Sequence, residues 1–395
     1  MNKLSTVELG DLLNFQRGYD LPKKDFVQGK YPVVSSNGIL GYHNEFKVEG
    51  PGITIGRSGT VGLPHYIESN FFPHNTSLFV NDFKGNDRKY IYYLLKNLGL
   101  NKKKSGSGVP TMNRNHLHPL KVPAYTDIGE QNKVSLVLST LDEKIKLNNH
   151  IISKYESIAN TIYCYWFVQY DFPDNNGRPF RSSNGKMSYN SDLKREIPQG
   201  WSWKPISKII EVRDGTHDSP KPSPSGQFLI TSKHLNSSGI DFTDSYLISD
   251  DDFEAVNRRS KVDEGDFLLS MIGTVGLSHW VMRITTPFAI KNIGLIKTSQ
   301  SPEWADYIFA SVNSVYGKAY LKQNQSTGTS QPYVTLGTLR NIPIVIPDDR
   351  VFKEFNEKIR PIHKAIYEKV EENNKLEKLR DWLLPMLMNG QVMIK

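Results

Sequence analysis

Gly59-Thr60-Val61-Gly62-Leu63 returns as Gly273-Thr274-Val275-Gly276-Leu277, 214 residues further along a chain of 395. Solenoid and propeller units repeat every 20–50 residues or so, far too short a period for this. The repeat therefore predicts two homologous globular domains. Around it, His65-Tyr66 matches His279-Trp280, and Asn75-Thr76-Ser77-Leu78 matches Asn292-Ile293-Gly294-Leu295. Further on, residues 105–110 face 326–332, and Leu120-Lys121-Val122-Pro123 faces Ile344-Val345-Ile346-Pro347. Ile145 then pairs with Ile366, and Tyr155-Glu156 with Leu376-Glu377, at an offset that has grown to 221. The second domain thus carries small insertions, and each domain leads into its own heptad-patterned segment.

In the first such segment Val134, Leu138, Leu141, Ile145, Asn148, Ile152, Tyr155, Ala159, Ile162 and Trp166 alternate spacings of four and three, the seam of a coiled coil. About 40 helical residues make a rod of roughly 60 Å. The second seam is Phe355, Ile359, Ile362, Ile366, Leu376, Leu383 and Leu387, with Pro361 starting or kinking it. Asn148 and Asn373 occupy seam positions, where a polar residue can set register. Strands are expected at Ile53–Ile55, Ser77–Val80, Phe267–Ile272 and Gly294–Ile296, and a short helix at Lys89–Leu98. Residues 171–196, rich in Asn, Gly, Pro and Ser, read as a linker. The expected order is a globular domain at 1–126, helix 127–170, linker 171–196, a second domain at 197–348 and helix 349–395. The fold class is α/β (mixed α+β), with two globular domains separated by two long helices. Antiparallel packing of the helices into a coiled coil is the simplest arrangement, because a parallel one needs the linker to run back along the whole rod.

At 395 residues the chain can bury two cores of ordinary size. No apolar run approaches the ~18–20 residues of a membrane span, and the start lacks the apolar stretch of a signal peptide. The single cysteine, Cys164, excludes an intrachain disulfide and suits a reducing cytoplasm. A net charge of +8 permits polyanion binding without requiring it. Enzyme signatures are missing. Gly29-Lys30, Gly185-Lys186 and Gly317-Lys318 lack the Ser or Thr of a P-loop. Asn-Pro, the core of the amino-methyltransferase motif, occurs nowhere, and Pro173-Asp174 and Pro347-Asp348 do not lead into a nuclease Glu-x-Lys. His116-Leu117-His118 has no further metal ligand at sensible spacing. A catalytic role for this chain alone is not expected, nor a metal.

What is present suits a polyanion. Lys84, Arg88, Lys89, Lys96, Lys102, Lys103 and Lys104 stand against the single acid Asp87, with Tyr90, Tyr92 and Tyr93 interleaved. The run ends in Ser105-Gly106-Ser107-Gly108, whose amides and hydroxyls suit phosphate. The counterpart in the second domain carries Lys322, Gln323, Asn324 and Thr329. Amides in place of lysines fit two related surfaces that read different bases. Arg57 precedes the first glycine turn where Met271 precedes the second. Further candidates for a groove are His65, His74, Asn75, Asn113 and Arg114. In the second domain they are Arg213, Thr216 and His217, with Lys291 and Asn292.

These residues together resemble a known family. The duplicated domain–helix plan, Asp214-Gly215-Thr216-His217 with Pro220, and Glu264-Gly265-Asp266-Phe267-Leu268-Leu269 are similar to type I restriction-modification specificity subunits. So are Leu138–Ile145, Leu376–Pro385 and the opener Ile197-Pro198-Gln199-Gly200-Trp201. The first domain departs from the pattern, with Gln16-Arg17-Gly18 near the place of Asp-Gly-Thr-His. The resemblance implies two target-recognition domains, each reading half of a split sequence in double-stranded DNA. It implies spacer helices that set the gap and dock two methyltransferase subunits, with motor-endonuclease subunits joining them. S-adenosylmethionine, ATP and Mg would then belong to those partners, not to this chain. The alternative is a coiled-coil adaptor without DNA specificity.

Overall fold

The computed structural model of the chain describes residues 4–102, 111–236, 239–326 and 331–394. It divides into two units, residues 1–148 with 372–395 and residues 149–371.

In the first unit a four-stranded antiparallel sheet runs Asn14–Arg17, Ser77–Asp82, Gly52–Gly56, Pro64–Ile67. Gly52–Gly56 is buried along its whole length, which explains its apolar Ile53 and Ile55. A three-stranded sheet of Gly38–His43, Tyr31–Ser35 and Phe72–Pro73 contains one parallel pair. Leu4–Glu8 pairs with Lys121–Tyr125 where the chain enters and leaves the globular part. Helix Arg88–Asn97 is capped by Asp87, whose carboxylate accepts from the Tyr90 N–H at 2.7 Å. It turns Tyr90, Ile91, Tyr93, Leu94 and Leu95 inward. Val134 and Leu138 of the first long helix, Ile128–Tyr163, complete this core, as do Leu384, Leu387 and Met388 of the second, Asp349–Met388.

The second unit repeats this plan and adds two short strand pairs, Met187–Asn190 with Arg195–Pro198 and Leu235–Asn236 with Gly239–Ile240. Its four-stranded sheet runs Val212–Asp214, Ile293–Ile296, Asp266–Ser270, Ser278–Val281, in the same order and antiparallel throughout. Gln227–Thr231 lies parallel to Phe288–Lys291 as Tyr31–Ser35 does to Phe72–Pro73. Ser202–Pro205 pairs with Pro343–Ile346 as Leu4–Glu8 does with Lys121–Tyr125. The recurring pentapeptide is the hairpin turn joining the inner strand to the sheet's edge strand. Gly59, Gly62, Gly273 and Gly276 all have φ between +77° and +88°, which is why glycine recurs there.

Each unit holds an antiparallel pair of helix ends. In the first, Asp142 meets Arg380 at 2.7 Å and Asn148 meets Asn373 at 2.9 Å, so numbers rise on one helix as they fall on the other. In the second, Tyr163 packs on Phe355. Of the expected seam, Leu138, Ile145 and Ile359 are buried. Leu141, Ile152, Tyr155, Ile362, Ile366, Leu376 and Leu383 are half-buried. The second helix runs unbroken through Pro361. The first ends in a π-helical turn, Cys164–Val168, that turns Trp166 and Phe167 into the core.

Residues 171–196, which read as a linker from composition, are packed onto the second unit. Phe172 stacks on both Phe180 and Trp201, with centroids 4.6 and 4.9 Å apart. Met187–Asn190 and Arg195–Pro198 form a hairpin. A few apolar anchors, Phe172, Phe180, Met187 and Leu193, suffice to fix an otherwise polar stretch onto the second unit.

Candidate nucleic-acid interface

At the end of each unit's outer strand the chain makes the same loop. Gly18 and Gly215 both donate backbone hydrogen bonds across to the neighbouring strand, to Ser77 O at 3.0 Å and Ile293 O at 2.8 Å. The next residues, Tyr19 and Thr216, form equivalent parallel bridges to His74 and Lys291. A Cβ on Gly18 would stand 2.2 Å from His74 O, and one on Gly215 2.4 Å from Ile290 O. Only glycine lets the backbones approach this closely. Gln16-Arg17-Gly18-Tyr19 is therefore the first unit's counterpart of Arg213-Asp214-Gly215-Thr216.

The side chains on this shared loop differ. In the second unit the exposed His217 spans two partners: Nε2 lies 2.9 Å from Asp214 Oδ2 and Nδ1 lies 2.8 Å from Asn292 Oδ1. Asp214, itself 2% exposed, is also bonded by Arg259, and Lys291 donates to Ser219. In the first unit Arg17 takes the place of Asp214, and Asp20 that of His217. Arg17 pairs with Asp20 at 3.2 Å, and Asn75 donates to the same carboxylate. An acid–histidine–amide arrangement has thus become a guanidinium–acid–amide one. Both offer donors and acceptors at the surface, in different patterns.

The other expected residues are spread over both units. His65, His74, Thr76 and Ser36 form one connected patch: His74 Nδ1 is 3.0 Å from Thr76 Oγ1, which accepts from Ser36 N–H, and His65 Nε2 is 3.3 Å from Ser36 O. Asn113 caps the exposed short helix Arg114–Leu117, and Arg57 is half-buried beside it, its carbonyl accepting from Met112 N–H at 2.8 Å. Lys322, Gln323 and Asn324 are exposed at the end of helix Val315–Gln323. Arg213 is bound through two nitrogens to Glu211, at 2.7 and 2.8 Å, and this hydrogen bonding, above all, holds the Glu211 carboxyl below its usual range. Lys103, Lys104, Ser105 and Thr329, and the side chain of Lys102, lie outside the described residues.

The rest of the basic run is built into the fold. Lys84 donates to Gly10 O, Arg88 to Pro51 O and Lys89 to Glu143. Lys96 is pulled down in pKa by burial and then by Arg380. Tyr90 and Tyr93 are core residues. His118, half of the His-x-His pair, accepts from the Phe15 N–H at 3.0 Å through Nε2. No cluster of three or more His, Cys, Asp or Glu suited to a metal occurs among the described residues. Sequence reasoning left Arg17, Tyr19, Asp20, Asp214 and Arg259 out of the candidate site. The signal for the first three was Gln16-Arg17-Gly18 standing near the place of Asp-Gly-Thr-His, with its glycine at the same point of the repeat.

The fold and the loops define a duplicated scaffold, one strand plan carrying two different polar surfaces. Comparison with known proteins shows what it is similar to. Residues 1–157 match the family model described as the type I restriction modification DNA specificity domain. The chain is 25% identical over 327 residues to the MjaIX type I restriction enzyme specificity subunit of Methanocaldococcus jannaschii, covering 78% of this chain and 69% of that one. It is 22% identical over 335 residues to the HindI specificity subunit of Haemophilus influenzae, covering 67% and 68%. In fold it is similar to the S subunit of a type I restriction-modification system from M. genitalium, at 15% identity and a TM-score of 0.60, over 98% and 96% of the two chains. Residues 1–157 thus match a type I restriction modification DNA specificity domain, and the chain as a whole is similar to type I specificity subunits.

Proposed function

We propose that this chain supplies DNA sequence specificity to a type I restriction-modification complex, each unit reading one half of a bipartite target in double-stranded DNA. The observation that carries this reading is the loop built twice on one backbone around a shared amide, Asn75 or Asn292, with Arg17 and Asp20 in one copy against Asp214 and His217 in the other. Base edges are told apart by the pattern of donors and acceptors presented to them. Identical scaffolds with unlike patterns thus suit an asymmetric sequence. The long helices set the gap between half-sites and dock methyltransferase subunits, which bring S-adenosylmethionine; motor-endonuclease subunits bring ATP and Mg chemistry. The chain itself acts as address and scaffold.

The test is long-read modification mapping of DNA from cells expressing the chain with its methyltransferase. The expected result is a split methylated motif that disappears when the chain is omitted. Substituting Arg17 and Asp20 together should alter one half of the motif, and substituting His217 and Asn292 the other. A contiguous motif, or no change in either half, would remove the reading.

A further inference from the structure

A cavity of about 560 Å³ lies in the second unit, between the first long helix at Ile152–Tyr163, the strand Ser278–Val281, helix Pro302–Asn313 and the second long helix at His363–Val370. Its counterpart in the first unit is filled, and the repeat shows by what. Tyr66 packs on Tyr92 as Trp280 packs on Phe309, with centroids 5.8 and 5.3 Å apart. The Tyr90 hydroxyl accepts from Tyr125 N–H, and the Tyr307 hydroxyl donates to Val345 O, at the same end of the paired exit strands. These contacts align helix Arg88–Asn97 with helix Pro302–Asn313, and the long helices align as their sequences do. In that register Ala310 stands for Tyr93, Asn313 for Lys96, Ala159 for Arg380 and His363 for Asp142.

In the first unit the Tyr93 hydroxyl donates to Asp142 at 2.6 Å and Arg380 pairs with the same carboxylate at 2.7 Å. Lys96 packs close enough for Arg380 to lower its pKa. In the second unit two alanines and an asparagine replace this phenol, guanidinium and ammonium, and the space is open. Of the aromatic walls Trp280 and Phe309 are shared with the first unit as Tyr66 and Tyr92, while Tyr163 and Tyr367, which stand for Leu384 and Lys146, are particular to the second. Pockets of this volume with mostly apolar walls and a few polar groups are typical of small-molecule sites.

We propose that this cavity binds a small uncharged aromatic molecule bearing a ring hydroxyl or N–H, of the phenol or indole class. The missing ring is the one the first unit supplies from Tyr93. The group facing its hydroxyl there, Asp142, is replaced by His363, whose Nδ1 lies 2.8 Å from Asp306 Oδ1. A proton held at Nδ1 by that carboxylate leaves Nε2 to accept from the ligand's O–H or N–H. Charge on the ligand is not favoured: burial draws the pKa of the lining His279 down to about 4, so it is neutral at pH 7, and Glu156 and Lys318 balance each other across the cavity.

The inference is independent of the DNA-reading role and is tested on the full chain by isothermal titration and thermal shift. The probes are phenol and indole, with benzoate and benzylamine as charged controls. Phenol and indole are expected to bind with dissociation constants of about 0.1–10 mM, as their few heavy atoms allow, and to raise Tm. The charged probes should bind about tenfold more weakly or not at all. Ala310→Tyr restores the first unit's ring and should abolish binding, and the smaller Ala310→Leu should weaken it. Should Ala310→Tyr fail to fold, Ala310→Leu decides. No binding of phenol or indole, equal binding of the charged probes, or undiminished binding in the folded variants overturns the proposal.

Discussion

Single ionisable residues set where this protein is vulnerable. Lys297, 2% exposed, lies 2.6 Å from carboxylate oxygens of both Asp263 and Asp266, and Asp266 is fully buried. Removing one partner of such a pair strands the other charge and costs about 3–5 kcal/mol. Lys297→Met should therefore destabilise the second unit by about that much in urea unfolding, and Lys297→Met with Asp266→Asn should recover part of it. A loss below about 1 kcal/mol would mean that the pair is not desolvated. The hydrogen bond from Lys297, first among its causes, holds the Asp263 carboxyl below its usual range. Its contribution is complete above the unfolded value near ~3.9 and is lost as pH falls through the lower folded value. His118 acts in the same direction by different chemistry. Nε2 must be unprotonated to accept from Phe15 N–H, and burial, then Arg114 and Lys84, lower its pKa. The unfolded chain binds the proton more readily, so this stabilisation is complete above roughly pH 6.5 and lost as pH falls through the folded value. The urea midpoint of the first unit should drop between about pH 7 and 5, and His118→Gln, whose amide oxygen accepts without titrating, should flatten that slope. An unchanged slope would show that His118 does not titrate with folding.

Among elements, the long helices were the most legible in the sequence and the polar loops the least. Leu138, Ile145 and Ile359 are buried as the heptads require, because a seam repeats one kind of residue at fixed spacing and does not depend on what lies far off in the chain. The inner strands were legible for a related reason, having apolar centres such as Leu78-Phe79-Val80 and Phe267-Leu268-Leu269. The folding of 171–196 was not, since four apolar residues among some two dozen give no period. The polar loop of the first unit was legible only as Gln16-Arg17-Gly18 near the place of Asp-Gly-Thr-His, because its equivalence to the second rests on backbone approach at Gly18 and Gly215, with few identical side chains. Within the basic run, Lys84, Arg88 and Lys89 are tied to carbonyls and to Glu143 of their own unit, while Lys103 and Lys104 and the side chain of Lys102 lie outside the described residues. At the helix pair Asn148 and Asn373 are both buried and joined by a 2.9 Å bond, as the register role expected of polar seam residues requires. Asn148→Ala should destabilise the first unit by about 1–3 kcal/mol, because the Asn373 amide loses a buried partner. Replacing both by Leu should leave the unit as stable or more so, while loosening helix register. Cross-linking of cysteines placed at 144 and 372, near the Lys144–Glu372 contact, reads that register. Products at a single register in the double variant would show that the pair is dispensable for alignment.

Across the whole molecule, the chain is duplicated in sequence but not partitioned in sequence. The first unit is built from residues 1–148 and 372–395, so its core closes only when the last stretch of the chain returns to it. Leu384, Leu387 and Met388 are 7%, 1% and 0% exposed and pack in the cluster that contains Leu9, Phe15, Ile53 and Tyr90. Burying each such side chain contributes about 1.5–3 kcal/mol, so the three together contribute a sum comparable to the whole stability of a typical domain, roughly 5–15 kcal/mol. The second unit takes its own share of both helices from residues 149–371 and includes nothing beyond them. Truncation after Glu371 should therefore act unevenly. Amides of the inner strands Gly52–Gly56 and Ser77–Asp82 should lose most of their hydrogen-exchange protection, while those of Asp266–Ser270 and Ile293–Ile296 keep it. A milder version, Leu387→Asp, should produce the same pattern with smaller amplitude, since it places a charge in that core. If both units lost protection together, the chain would fold as one cooperative body, and its recognition surfaces could not be varied independently. Retained protection in the second unit would instead explain how two copies of one scaffold can diverge side chain by side chain, each carrying its own pattern of donors and acceptors.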